Sequence, residues 1–284
     1  MKTYLTPPEI LDYTMQTGLK KANTPIFAQL FLAFLAGVFI AFAAEGSNMA
    51  AFNLFAEPTT YGLGKALAGA LFGTGLMLVI IAGGELFTGN TMMLAALFEK
   101  KISLSKLLQN WIVVYSGNLI GSVFIAYMMA RSGLFNSGDH VLGAMTIKIA
   151  AYKVGLSFEQ AFFLGIMCNW LVCLAVWMSY SAQDVTGKLL AIFFPIWLFI
   201  TSGFEHSVAN MYYIPAGIFA KSNEKWVTAA MEYGVSAEKL ANLNWHSFAV
   251  DNLLPVTLGT IVGGGLFVAG IYWFIYTKLS KKKT

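Results

Sequence analysis

Apolar positions in this chain gather into six long stretches, near 26–44, 62–98, 107–130, 158–180, 189–220 and 248–276. None of them alternates with period two, so a transmembrane barrel is not expected. Only helices and closed barrels satisfy their backbone inside lipid, and the pattern therefore predicts six membrane-spanning helices. A crossing takes about 20 residues. The second and fifth stretches are too long for one simple crossing, and each is expected to be interrupted. Ahead of the first stretch, residues 1–24 read as a surface helix. Thr6 is the expected N-cap, Pro7 the first helical residue, and Glu9 the partner in a capping box. Leu11, Met15 and Leu19 form one apolar stripe, with Glu9, Asp12, Gln16 and Lys20 beside it. No signal peptide is read here, because the segment is charged and lacks an apolar core.

Composition agrees with the pattern. Of 284 residues, 57% are hydrophobic and only 11% charged, where a soluble domain carries about a quarter charged. Mean hydropathy is +0.66. The net charge of +4 is small and the lysines fall between the stretches, so nucleic acid is not an expected partner. Cys168 and Cys173 sit within an apolar run and read as packing residues, not as a disulfide, redox or zinc motif. No metal or cofactor is expected. With the N-terminus placed inside, the inner segments hold 11 Lys and Arg and the outer segments 7. That excess puts both termini in the cytoplasm, with a basic tail at 278–284.

The third and sixth stretches share a register. Asn110, Gly117 and Gly121 match Asn252, Gly259 and Gly263 in spacing. The interruptions correspond as well. Gly83-Gly84-Glu85-Leu86-Phe87-Thr88-Gly89-Asn90 faces Ser202-Gly203-Phe204-Glu205-His206-Ser207-Val208-Ala209-Asn210. Each runs from glycine through a carboxylate and a Ser or Thr to an Asn. Three spans per half is an odd number, so the halves, about 25–131 and 157–277, enter the membrane in opposite orientations. Paired breaks in inverted halves point to a transport site near the midplane.

Glu205 and His206 are the decisive residues, since ionisable groups in mid-span are costly and functional by default. A histidine exchanges protons near neutral pH. Against this stands a histidine bonded only for packing. Glu85 either lines the second break or bonds free backbone amides there, and the second role is the one expected. Thr88 and Asn90 offer a hydroxyl and an amide where a helix restarts, and its N-terminus suits an anion. Asn169 is either interhelical glue or a pore residue. Lys148 and Lys153 precede the fourth stretch on the outer side, as solvated lysines or as an anion-concentrating charge.

Three segments together carry a resemblance. They are Gly84-Glu85-Leu86-Phe87-Thr88-Gly89, Asn169-Trp170-Leu171-Val172-Cys173-Leu174-Ala175-Val176-Trp177, and Gly203-Phe204-Glu205-His206-Ser207-Val208-Ala209-Asn210. Over nearly its whole length the chain resembles the formate–nitrite transporter family. The resemblance implies an all-α, aquaporin-like protomer of six helices, assembled as a homopentamer in the cell membrane with one pore per protomer. It implies His206 as the central pore histidine with Glu205 beside it, and Asn169 and Asn210 as polar residues nearby. Lys153, which stands 16 residues before Asn169, corresponds to the outer-vestibule lysine. Leu86, Phe87 and Thr88 form the loop that breaks the second span, and Leu76 and Phe199 are apolar constrictions flanking the histidine. The N-terminal helix is expected over the cytoplasmic mouth, with 25–277 as the pore domain.

The expected mechanism follows from the cost of carrying a bare anion through an apolar constriction. A weak-acid anion takes a proton at or near His206 and crosses as the neutral acid. Formate is the expected substrate on family grounds, with nitrite and hydrosulfide as alternatives, and a proton-coupled symporter is the other mode. An intramembrane enzyme is the rival class, but His140, His206 and His246 give no HExxH spacing. A water or glycerol channel would carry paired Asn-Pro-Ala boxes, and these are missing.

Overall fold

The computed structural model describes residues 4–280; the expected basic tail therefore lies largely outside the described residues. The helices are α1 (Pro7–Asn23), α2 (Ile26–Ala56), α3 (Pro58–Gly83), α4 (Phe87–Phe98), α5 (Leu104–Ser132), α6 (Val141–Val154), α7 (Phe158–Ser181), α8 (Val185–Ser202), α9 (Ser207–Ala220), α10 (Glu224–Glu232), α11 (Ala237–Asn242) and α12 (Trp245–Leu279). Six of them, α2, α3, α5, α7, α8 and α12, are long and apolar enough to cross a membrane. The protein is a multi-pass membrane protein. Its outer surface is apolar: Phe27, Phe31, Ile112, Phe158, Phe194 and Leu198 are all more than half exposed.

The N-terminal capping box forms, with the Glu9 carboxylate accepting from the Thr6 backbone N–H at 2.8 Å and from its hydroxyl at 2.7 Å. The first apolar stretch does not end at residue 44. α2 runs on to Ala56, because Glu45 finds a partner: the Tyr212 hydroxyl of α9 donates to Glu45 Oε2. The polar residue that closed the hydropathy reading is satisfied by tertiary contact, so the helix continues.

Both interruptions are present. α3 ends at Gly83 in the left-handed region (φ 98°), Gly84 is extended, and the chain restarts at Phe87. α8 ends at Gly203 (φ 78°), and α9 restarts at Ser207. A left-handed glycine after the last turn stops each helix without steric penalty.

The inverted repeat is visible in the packing. A Cβ on Gly121 would fall on the carbonyl oxygen of Phe34, and one on Gly263 on that of Ile166. Gly117 meets Leu30 and Ala33, while Gly259 meets Phe162 and Ile166. Phe162 and Ile166 stand at the same offset from Lys153 as Leu30 and Phe34 do from Lys21. Thus α5 lies against α2 as α12 lies against α7, backbone on backbone, which only glycine permits.

Candidate functional site

Each break carries the same polar quartet. In the first half Lys21 Nζ lies 2.8 Å from Glu85 Oε2 and 2.8 Å from Asn90 Oδ1. The Asn90 amide donates to Glu85 Oε2 at 2.7 Å and to Asn110 Oδ1 at 2.9 Å. In the second half Lys153 Nζ lies 2.7 Å from Glu205 Oε1. The Asn210 amide donates to Glu205 Oε2 at 2.7 Å and to Asn252 Oδ1 at 2.7 Å. Asn252 in turn donates to the Lys153 carbonyl at 2.8 Å. Each carboxylate thus ties a restarting helix to a lysine from a preceding helix, and the Asn of the restarting helix reaches the Asn of a following span. A paired, fully bonded charge is the form in which an ion survives burial.

This corrects the reading of Glu85, whose side chain bonds Lys21 and Asn90 and no backbone amide. The free amide of Phe87 is taken by Asn118 Oδ1 at 2.9 Å, and the Asn118 amide donates to the carbonyls of Ala33 and Glu85.

The two breaks differ at the next residue, which is Leu86 in the first and His206 in the second. His206 is 4% exposed and lies in the unwound segment, not on the lipid face. Its Nδ1 accepts the Ala209 backbone N–H at 3.0 Å, so the ring caps α9. An accepting Nδ1 carries a lone pair, and the neutral ring therefore has its proton on Nε2. Among the described residues no protein group bonds Nε2. Phe199 stacks on the imidazole with centroids 5.8 Å apart, and Phe72 meets it edge-on at 6.4 Å. Phe72 also meets Phe199 at 5.7 Å, which closes an apolar layer against the histidine. Leu76 lies one turn beyond Phe72 on α3 and is buried. Phe72 escaped the sequence reading, although its spacing of four from Leu76 puts both on one helix face.

Below the layer, Thr88 is fully buried and its hydroxyl has no partner among the described residues. Asn169 bridges helices through its amide, which donates to the carbonyls of Thr88 at 3.2 Å and Thr260 at 2.7 Å, and to Thr91 Oγ1 at 3.1 Å. Two carbonyls demand a donor, which fixes the amide orientation. Asn169 Oδ1 and Asn210 Oδ1 are then left buried and unpartnered among the described residues. Leu86 is buried in the extended segment, and Phe87 packs edge-on against Trp111 and Tyr115.

On the other side of the Phe199–His206 layer opens a vestibule of about 450 Å³, lined in part by Asn48, Lys65, Lys148, Lys153, Glu205 and His206. Lys153, expected as an anion-drawing charge, is 9% exposed and bound to Glu205. Lys148 is half-buried at the vestibule wall.

Two inverted three-span halves, whose broken helices meet at a buried polar site under a vestibule, define a membrane channel or carrier. The family model described as "Formate/nitrite transporter" matches residues 8–274. A "Probable formate transporter" of Methanothermobacter thermautotrophicus is 40% identical over 272 residues, covering 91% of this chain and 92% of that one. "Formate channel FocA" of Haemophilus influenzae is 40% identical over 283 residues, covering 96% and 95%. A solved structure, "Pentameric formate channel with formate bound", superposes with a TM-score of 0.77 at 39% identity, covering 89% of this chain and 98% of that one. The chain belongs to the formate/nitrite transporter family.

Proposed function

We propose that the protein is a homopentameric channel or carrier for small weak-acid anions in a cell membrane, with formate as the leading substrate and nitrite and hydrosulfide in the same class. The similarity to formate channels over most of the chain supports the substrate class. The lysine excess supports cytoplasmic termini, which turns the vestibule outward and lays α1, within residues 1–24, at the inner mouth of a pore domain spanning 25–277.

One observation carries the mechanism. His206 stands between a lysine-bearing vestibule and an apolar Phe72–Phe199 layer, with Nε2 left unbonded by the protein. An anion that loses its hydration at this layer has Nε2–H as a donor. In the relay reading the protonated ring of His206, released from Ala209, gives its Nε2 proton to the carboxylate, so that imidazolium and formate anion become neutral imidazole, its remaining proton on Nδ1, and formic acid. The neutral acid then passes Leu76 and Phe199 without the cost of a bare charge. Thr88, with its spare hydroxyl, hydrogen-bonds the passing solute, and the spare oxygens of Asn169 and Asn210 accept from its proton. Lys153 acts by holding Glu205, and through it the segment that carries His206. Uptake then rises as pH falls on the loading side, because the acid form becomes more abundant.

A second reading is favoured by the Ala209 bond. A second ring proton would have to displace Ala209 from Nδ1, so His206 could instead remain neutral and only donate a hydrogen bond, the proton coming from vestibule water. Formate uptake into liposomes by His206→Asn protein separates the two, because Asn donates but does not titrate. The relay requires flux to fall at least about a hundredfold, the lower end of the range for a positioned acid. Unchanged rate and pH dependence would remove the relay and leave the donor role.

A further inference from the structure

We propose that Lys65 is an anion-binding residue of the vestibule, capturing a small monovalent anion before it reaches the Phe199–His206 layer; this rests on the anion-transport reading above. Lys153 is poorly placed for that task. Its ammonium sits 2.7 Å from a carboxylate that cancels its charge, and Glu205 is itself held by Asn210 and Asn252. An approaching anion therefore meets a closed, neutral pair.

Lys65 lines the same vestibule, from the first turns of α3, and differs in two respects. Among the described residues no carboxylate pairs with it; its Nζ instead lies 5.9 Å from the centroid of Phe55 and 5.7 Å from that of Tyr61. Aromatic faces hold an ammonium in place without neutralising it. Finally, a Cβ on Gly203 would lie 4.0 Å from Lys65 Nζ, so the charge overhangs the end of α8, where the segment leading to His206 begins. With Glu205 offsetting Lys153, Lys65 and Lys148 leave the vestibule wall positive. A low-dielectric cleft focuses such a charge on small anions.

The competing account is an interfacial anchor, in which the stem of Lys65 packs on Phe55 and Tyr61 and the charge is incidental. Lys65→Met keeps an apolar stem and removes the charge, and Lys65→Arg keeps the charge. Formate uptake into proteoliposomes is measured against concentration and ionic strength, alongside thermal stabilisation of the detergent-purified protein by formate. Size-exclusion elution at the wild-type position establishes that both variants are folded. The expected result for Lys65→Met is a half-saturating formate concentration raised about fivefold or more, a flattened salt dependence, and a maximal rate within about twofold of wild type. Lys65→Arg is expected to behave as wild type. Unchanged half-saturation and salt dependence in Lys65→Met overturns the proposal while the transport reading stands. If wild-type protein carries no formate, the transport reading falls and stabilisation decides the site alone. Stabilisation of wild type and Lys65→Arg but not of Lys65→Met upholds it. Equal stabilisation of all three, or of none, overturns it.

Discussion

The Ala209 backbone N–H points at His206 Nδ1 across 3.0 Å, so the ring proposed for the pore is also the N-cap of α9. One nitrogen serves the fold and the other is left for a solute. This double duty explains why the ring is held in a single orientation within an unwound segment. It also sets how the residue must be tested.

Asn is a good N-cap and Ala a poor one. His206→Asn is therefore expected to keep wild-type thermal stability, while His206→Ala loses about 1 kcal/mol. Thermal unfolding of the detergent-purified variants measures this. Equal losses in both would mean that the cap contributes nothing.

The Lys153–Glu205 pair is buried, with side-chain exposures of 11% and 3%. Removing one partner strands a charge, at a cost of roughly 3–5 kcal/mol for a buried pair. Lys153→Met and Glu205→Gln are each expected to lower the unfolding temperature, and the double variant to lower it less than their sum. Strict additivity in this cycle would show that the two residues do not interact.

Glycine contacts join the spans within each half. Gly121→Ala and Gly263→Ala each drive a methyl into a backbone carbonyl of the neighbouring helix and are expected to abolish folded protein. At Gly89 the added Cβ meets only Val176, at 3.8 Å, and the equivalent position in the second half is Ala209. Gly89→Ala is accordingly expected to be tolerated. Expression monitored by size-exclusion chromatography distinguishes the three; equal yields would refute the close-packing account.

Thr88 occupies the position that Val208 fills in the other half, and its buried hydroxyl bonds nothing among the described residues. Thr88→Val removes that orphan without changing shape, so stability is expected to hold or rise. If the hydroxyl serves the passing solute, formate flux falls about fivefold, the worth of one hydrogen bond. Flux at the wild-type level would take Thr88 out of the pathway.

Much of this protein was legible in the linear pattern. Overlong apolar stretches and their glycines announced broken spans, since lipid leaves the backbone few alternatives. The shared Asn and Gly spacing announced the duplication, and the mid-span Glu205–His206 pair marked the break that lines the vestibule. The same reading ended α2 early at Glu45, because hydropathy does not register a Tyr212 hydroxyl arriving from a helix far along the chain. It left Lys21 without a role, read Asn110 and Asn252 only as markers of the repeat, and assigned Lys153 a free charge, because ion pairs join groups that only folding brings together. Phe72, Lys65 and the choice of ring nitrogen on His206 likewise depend on distances between segments. Local chemistry and periodicity chose the helices and their breaks; which polar group meets which was decided by the tertiary structure, because hydrogen bonds and charges act over a few ångströms in space, whatever their separation along the chain.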